Sequence, residues 1–149
     1  MSALVVPLLL VLFGAPPSPA VRFRNPDGLP KSPRYSHVAE VTRGRLVFVS
    51  GQVAQDAKGN VVGPGDMAAQ TRQVFENLKV ALAASGATFK DVVKLTSFLV
   101  DMSQIEKYRD VRTEFLKGMP DPPTSTTVAV PRLVREEYLL EVEAIAVVP

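Results

Sequence analysis

Two carboxylates near the end of the chain have a spacing that suits acid–base chemistry. Glu141 and Glu143 lie in a mostly apolar stretch, residues 138–148, that predicts a β-strand. Side chains at i and i+2 of a strand share one face, so both carboxylates lie beside Leu139 and Ile145. Partial burial next to a like charge raises the pKa of one carboxyl group and makes it a general acid or base. The alternative is a solvated strip on an edge strand, or charges that pair with Arg or Lys across an interface.

Three other places carry side chains or turns that suit ligand binding. Ser50-Gly51-Gln52 follows the apolar run 46–49, where a glycine allows a ligand or another backbone to approach closely. The alternative there is a bulge or a strand end. The hydroxyls of residues 124–127 either bind a ligand or reflect the β-propensity of threonine. Arg109 lies in a predicted helix, where it either pairs with an anionic ligand or is solvated or bridges to a neighbour.

The composition excludes several classes of protein. The chain has no cysteine, which excludes disulfides, thiolate metal sites and a cysteine nucleophile. A single histidine, His37, excludes His pairs and His-rich metal sites. A Ser–His–Asp triad would have to use His37, for which a surface or structural role is the alternative. The net charge of +2, without a basic tract or any Trp, argues against a nucleic-acid partner.

The elements that must position these residues follow from periodicity and punctuation. Five strands are predicted, at residues 36–42, 46–50, 91–100, 124–130 and 138–148. Arg43-Gly44 predicts a two-residue hairpin turn between the first two strands. A long helix begins after its N-cap Asp66 and ends with Gly86 as the C′ residue. A second helix begins at a capping box, with Ser103 as N-cap and Glu106 at N3.

This order, β-β-α-β-α-β-β, predicts a two-layer α+β domain, because two amphipathic helices can cover only one face of the sheet. The run Leu46–Val49 is apolar throughout, which indicates a strand covered on both faces. The face away from the helices keeps apolar side chains, so we expect the chain to form an oligomer through that face.

The start of the chain differs from the rest. Residues 1–20 carry no charge and form an apolar extension or a signal segment, residues 21–34 form an irregular Pro-rich lead-in, and residues 35–149 form the domain. The apolar stretch 3–15 is shorter than the about 20 residues of a membrane span and has the length of the apolar region of a signal peptide. No basic residue precedes it. We expect a cytoplasmic protein without a membrane span; export through residues 1–20 is the alternative.

Several segments, taken in order and spacing, resemble the Rid/YjgF family of reactive-intermediate deaminases. These segments are Tyr35-Ser36 and residues 46–52, 70–78, 91–94, 122–130 and 141–146. The resemblance covers about residues 35–148. It implies a chorismate-mutase-like fold and a homotrimer whose sheets face inward, with clefts between subunits. It also implies hydrolysis of enamines and imines, such as 2-aminoacrylate, to 2-keto acids and ammonia, with no metal or organic cofactor.

The resemblance also implies roles for single residues. Tyr35 and the Ser50-Gly51 turn line the cleft, and Glu141 positions or activates water, with Glu143 as the weaker candidate. The family's carboxylate-binding Arg lies in a Pro-x-Arg-[Ser/Thr] motif. Here that motif reads Pro-Thr-Ser-Thr at residues 123–126, so Ser125 stands where the Arg is expected. A hydroxyl does not replace a bidentate guanidinium.

Three hypotheses follow from this departure. Arg109, at a position where the family has Asn, takes over anion binding in an imine or enamine hydrolase with altered substrates. Alternatively, a non-catalytic trimer binds a small metabolite without a carboxylate, through Ser125 and Thr127. The third is a chaperone-like oligomer. In each case the partners are further copies of the chain and, for the first two, a small molecule.

Overall fold

The structure, a computed structural model, describes residues 19–149. Its strands are β1 (Val21–Arg24), β2 (Val38–Val41), β3 (Arg45–Gln52), β4 (Val92–Leu99), β5 (Thr124–Ala129) and β6 (Leu140–Val148). Its helices are α1 (Met67–Ala83) and α2 (Ile105–Phe115), and short 3₁₀ turns precede β4 and α2. From β2 onward the order is the predicted β-β-α-β-α-β-β.

A four-stranded sheet in the order β3-β6-β4-β5 forms the first layer. β6 pairs antiparallel with both β3 and β4, and β4 pairs parallel with β5. Alternate residues of β6 are buried against the helices: Leu140, Val142, Ala144 and Ala146. Since both helices supply core residues to this one side, the predicted two-layer α+β architecture is confirmed.

The predicted hairpin between the first two strands is wrong. β2 pairs antiparallel with β1, and β3 pairs with β6 instead. Gly44 does make a turn, with φ of +109°, but the turn delivers β3 to the end of β6. A Cβ at Gly44 would lie 2.7 Å from the carbonyl oxygen of Val148, so only glycine allows this approach. The presence of β1 also means that the lead-in, residues 21–34, is not irregular throughout.

The predicted limits of α1 are confirmed. The Asp66 side chain accepts hydrogen bonds from the backbone of Ala68 and Ala69. Gly86, with φ of +70°, donates to the carbonyl of Ala83, and the next residue donates to the carbonyl of Leu82. This pair of bonds is the Schellman motif that places a glycine at C′.

The predicted capping box of α2 is wrong. Asp101 accepts hydrogen bonds from both the backbone and the hydroxyl of Ser103, so Ser103 is a donor and not the cap. α2 begins only at Ile105, after the 3₁₀ turn, and Gln104 makes no side-chain cap bond. A carboxylate is a stronger hydrogen-bond acceptor than a hydroxyl. The bond from the Ser103 hydroxyl is the main reason why the pKa of Asp101 is lowered.

The face of the sheet away from the helices is open in the single chain. Phe48 is 72% exposed and Leu46 51% exposed, whereas Val47 and Val49 are buried under α1. The expectation that this strand is covered on both faces is therefore wrong for one chain, because no second layer covers its outer side. We call this outer side the open sheet face. It carries the apolar side chains that the sequence analysis expected to find uncovered.

The apolar stretch 3–15 lies outside the described residues, and with it the signal-segment alternative. Within residues 19–149, no helix is long and apolar enough to cross a membrane. The cellular compartment and the domain boundaries stay predictions.

Two side chains of helix α1 form hydrogen bonds to the backbone just before β6 and just after β3. The buried Gln70 amide donates to the carbonyl of Glu137 (2.7 Å) and accepts from the backbone of Leu139 (2.8 Å), just before β6. The Asn77 amide donates to two carbonyls in the segment 53–55, each at 3.0 Å, just after β3. These bonds hold the adjoining ends of two strands in one position.

We therefore expect Gln70→Leu to lower the free energy of unfolding by about 2–4 kcal/mol, because it fills the site but leaves two backbone groups without partners. Urea unfolding at one fixed protein concentration measures the change. Gln104→Leu, at a half-buried amide that bonds only to side chains, is the matched control. Equal losses for the two variants would contradict the bracing role of Gln70.

Candidate functional site

A cavity of about 280 Å³ lies between α2, β5 and the segment before β2. We call it the α2–β5 cavity. Its lining includes four residues that were predicted from the sequence as site residues: Tyr35, Arg109, Ser125 and Thr127. The structure thus brings these four predicted site residues together in one concave place.

Ser36, in the segment before β2, connects that segment to the residues just before β5 by hydrogen bonds. Its hydroxyl donates to the carbonyl of Pro122 (2.7 Å), and its backbone donates to Pro123 (3.3 Å). Ser36 is buried, and these bonds place its neighbour Tyr35 beside the start of β5. The Pro-Pro bend therefore helps to place Tyr35 at the same cavity as Ser125.

Tyr108 forms part of the cavity wall. Its hydroxyl shares a hydrogen bond of 2.6 Å with Ser97, and both side chains are buried. Burial raises the pKa of Tyr108, so the phenol keeps its proton at neutral pH. The wall is therefore polar but uncharged at this point.

The arginines of the cavity differ in their partners. Glu106 forms ion pairs with Arg109 and, at 3.7 Å, with Arg34. Arg109 therefore lines the cavity and bridges to a neighbour, which is one of its two interpretations, while its pairing with an anionic ligand stays a prediction. Arg112 also lines the cavity, and no carboxylate among the described residues lies within ion-pair distance of it.

Arg112 is the residue that the sequence analysis missed. It is only 5% exposed, and burial lowers its pKa. Its position offered a signal: it lies four residues after Tyr108, in line with the buried stripe of α2. An arginine there must be buried, whereas most helix arginines are solvated.

Glu141 and Gly51 form a second place of interest. The register shift between Val49 and Gln52 creates a bulge at the end of β3. A Cβ at Gly51 would lie 1.8 Å from Oε1 of Glu141, so the glycine leaves the space that this carboxylate occupies. The bulge alternative is confirmed; in one chain it is the Glu141 side chain that approaches the glycine, and the approach of a ligand stays a prediction. Glu141 is half-buried here, and Glu143 is exposed.

These two places lie on opposite faces of the sheet. Ser125 and Thr127 pair with Leu95 and with the buried Ser97, on the helix side. Glu141 pairs with Phe98, which follows Ser97 directly in β4. Because successive side chains of a strand point to opposite faces, Phe98 and Glu141 lie on the open sheet face. Within one chain, Glu141 and Ser125 therefore cannot contact the same small ligand.

The remaining candidate, His37, lies outside both places. Its Nε2 is 2.8 Å from the carbonyl oxygen of Pro30, and its backbone donates to the side chain of Asn25. These contacts give it the structural role that was one of its two interpretations. Within residues 19–149, no group of three or more potential ligands lies close enough together to hold a metal ion.

The two-layer architecture and the cavity place the chain in the class of chorismate-mutase-like α+β domains. The family model described as Endoribonuclease L-PSP matches residues 29–148. The chain therefore belongs to the Rid/YjgF family, and the resemblance stated from its motifs is confirmed.

Named relatives agree with this assignment. Protein DfrA of Myxococcus xanthus is 39% identical over 113 residues, covering 76% of this chain and 84% of the relative. A 2-iminobutanoate/2-iminopropanoate deaminase of Dermatophagoides farinae is 33% identical over 114 residues, covering 76% of this chain and 85% of the relative. The crystal structure of the Rid family protein YyfB from Yersinia pestis, 35% identical, covers 87% of this chain and 99% of its own, with a TM-score of 0.81.

The contact between Glu141 and Gly51 makes a prediction about stability. We expect Gly51→Ala to cost about 0.5–1 kcal/mol, because the new methyl group forces the half-buried Glu141 side chain into another rotamer. In a Glu141→Ala background most of that cost disappears, because all three atoms nearest to the new Cβ belong to Glu141. A double-mutant cycle by urea unfolding measures the interaction. An equal cost of Gly51→Ala in both backgrounds would show that Glu141 does not occupy this space.

Proposed function

We propose that this protein hydrolyses small imine or enamine metabolites. The observation that carries the proposal is the Glu141 carboxylate seated against Gly51, at the place where the family resemblance puts the water-handling group. The deaminase activity named for the relative from Dermatophagoides farinae supports the same class of reaction. The substrate range differs from that of the archetypal members, since Ser125 replaces their carboxylate-binding Arg.

The reaction needs one carboxylate and one water molecule. Water adds to the carbon of the C=N bond, and the nitrogen takes up a proton. The carbinolamine that forms then releases ammonia and leaves a C=O bond, so an imino acid gives a 2-keto acid. Glu141 accepts one proton of the attacking water and passes it to the nitrogen of the C=N bond. It then accepts the hydroxyl proton of the carbinolamine and passes it to the amino group, which leaves as ammonia. Tyr35 and the Ser50-Gly51 turn orient the substrate, and no metal or organic cofactor takes part.

The proposal includes a homotrimer with its clefts between subunits. Glu141 and the α2–β5 cavity lie on opposite faces of one chain, so a second copy must bring its Glu141 to the cavity of the first. The open sheet face supplies an apolar surface for this assembly, with Leu46 and Phe48 exposed on β3 and Val128 on β5. Contacts between such faces bury these side chains and complete the site.

The assembly is tested by adding charge to the open sheet face. We expect Phe48→Glu to break the trimer into smaller species, because it buries an unpaired carboxylate at the interface. Val134→Glu is the matched control: Val134 is 84% exposed and lies in the loop before β6. Light scattering after size-exclusion chromatography measures both masses. A Phe48→Glu protein with the mass of the unmodified protein would exclude this interface.

One observation favours a second function. Ser125 and Thr127 present hydroxyls where the family resemblance places a guanidinium, which suits a ligand without a carboxylate in a trimer that binds but does not catalyse. The apolar open sheet face would equally serve a chaperone-like oligomer. The presence of Glu141 favours hydrolysis over both.

Catalysis is tested with imines made by an amino acid oxidase, following their decay and the release of ammonia. We expect Glu141→Gln to lower kcat/KM by about 100-fold or more, because the amide cannot accept the proton of water. Glu143→Gln is the matched control and is expected to retain most of the activity. If the unmodified protein accelerates the decay of no tested imine over buffer, hydrolysis is excluded and the binding alternative stands.

A further inference from the structure

The charge of the α2–β5 cavity favours an anion. Three guanidinium groups line it, those of Arg34, Arg109 and Arg112, and no carboxylate lines it. Glu106 lies nearby but is engaged by Arg34 and Arg109. A concave site with an excess of positive charge raises the local concentration of anions.

Arg112 stands apart from the other two arginines because its charge is buried and unmatched. Of its five N–H donors, one at Nη2 reaches the carbonyl of Arg34 at 3.1 Å, and the buried Nε has no partner among the described residues. A buried cation without a carboxylate and with an unmet donor is unfavourable for folding alone. Such a group needs an explanation, and a ligand that supplies the missing acceptors is one.

We propose that Arg112 binds the anionic group of the ligand, a carboxylate, from α2, in place of the guanidinium expected at Ser125. The hydroxyls of Ser125 and Thr127, which line the same cavity, supply further hydrogen bonds to it. Arg109 is the weaker anchor because its Nη1 already pairs with Glu106. The inference names the anchor for the proposed hydrolysis, but binding of the anion is tested without any turnover.

The cavity also limits the ligand. At about 280 Å³ it is slightly smaller than the about 300–1,000 Å³ typical of small-molecule sites, which favours a metabolite with a short side chain. The planar fork of a guanidinium matches a carboxylate in two parallel hydrogen bonds. The ligand class is therefore a small metabolite with a short side chain, whose carboxylate reaches Arg112.

Pyruvate is the probe, because it is a stable 2-keto acid that does not depend on catalysis. Isothermal titration of the full chain measures its affinity. We expect Arg112→Met to weaken pyruvate binding by at least about tenfold, the loss expected when a charge-assisted hydrogen bond is removed. We also expect the unfolding midpoint of this variant to be unchanged or higher, because a buried unmatched charge is gone. A structural role for Arg112 would instead lower the midpoint and leave the affinity unchanged.

Further variants make the test specific. Arg72→Met removes the same charge from the surface, where Arg72 pairs with Glu114, and is expected to leave the affinity unchanged. Arg109→Met is expected to weaken binding less than Arg112→Met. Adding Ser125→Arg to Arg112→Met is expected to restore binding, since residue 125 faces the same cavity. If Arg112→Met does not fold, Arg112→Lys, which keeps the charge but not the fork, is expected to bind more weakly than the unmodified protein.

The outcomes separate the two proposals. Undiminished pyruvate binding by Arg112→Met, or by Arg112→Lys where only that variant folds, would overturn the inference, as would no binding by the unmodified protein. Pyruvate binding that depends on Arg112, together with no hydrolysis of any imine, would overturn the proposed function and leave the inference standing.

Discussion

Two helices can cover only one face of a four-stranded sheet, and the rest of the molecule depends on this limit. Both helices supply core residues on the same side, so alternate residues of β6 are buried and those between them point to the open sheet face. Glu141 is one of the latter. Ser125 and Thr127 point to the helix side, where α2 forms the second wall of a cavity. A carboxylate and a cationic cavity are thereby separated by the thickness of the sheet.

Local signals of the sequence predicted those elements whose cause is local. Asp66 and Gly86 set the limits of α1 through bonds within one or two turns, and both predictions are confirmed. The hairpin at Arg43-Gly44 was wrong because strand pairing is decided by distant segments: β1 competes for β2, and β6 for β3. The capping box was wrong because Asp101, a stronger acceptor two residues earlier, bonds to Ser103.

The candidate site shows the same division. The motifs indicated Tyr35, Ser125 and Thr127, and the structure places all three at one cavity. The contact of Glu141 with Gly51 required the register of β3 on β6, which no local pattern contains. Arg112 was missed because a charged residue in a helix is ordinarily solvated. Its spacing from Tyr108 was the one local signal, and the packing of the protein shows that the side chain is buried.

Ser125 and Arg112 are best understood together. Both line one small cavity, so a guanidinium at each position would place two like charges close together in a site with no carboxylate. The short side chain at Ser125 leaves room for the long one that enters from α2. A cation held by β5 would be oriented by a sheet strand, whereas Arg112 is held by burial and by one bond to Arg34. The segment before β2 thus forms one side of the cavity, and its Arg34 carbonyl also accepts a hydrogen bond from Arg112, the proposed anchor. For this reason the lead-in belongs to the site as much as to the fold.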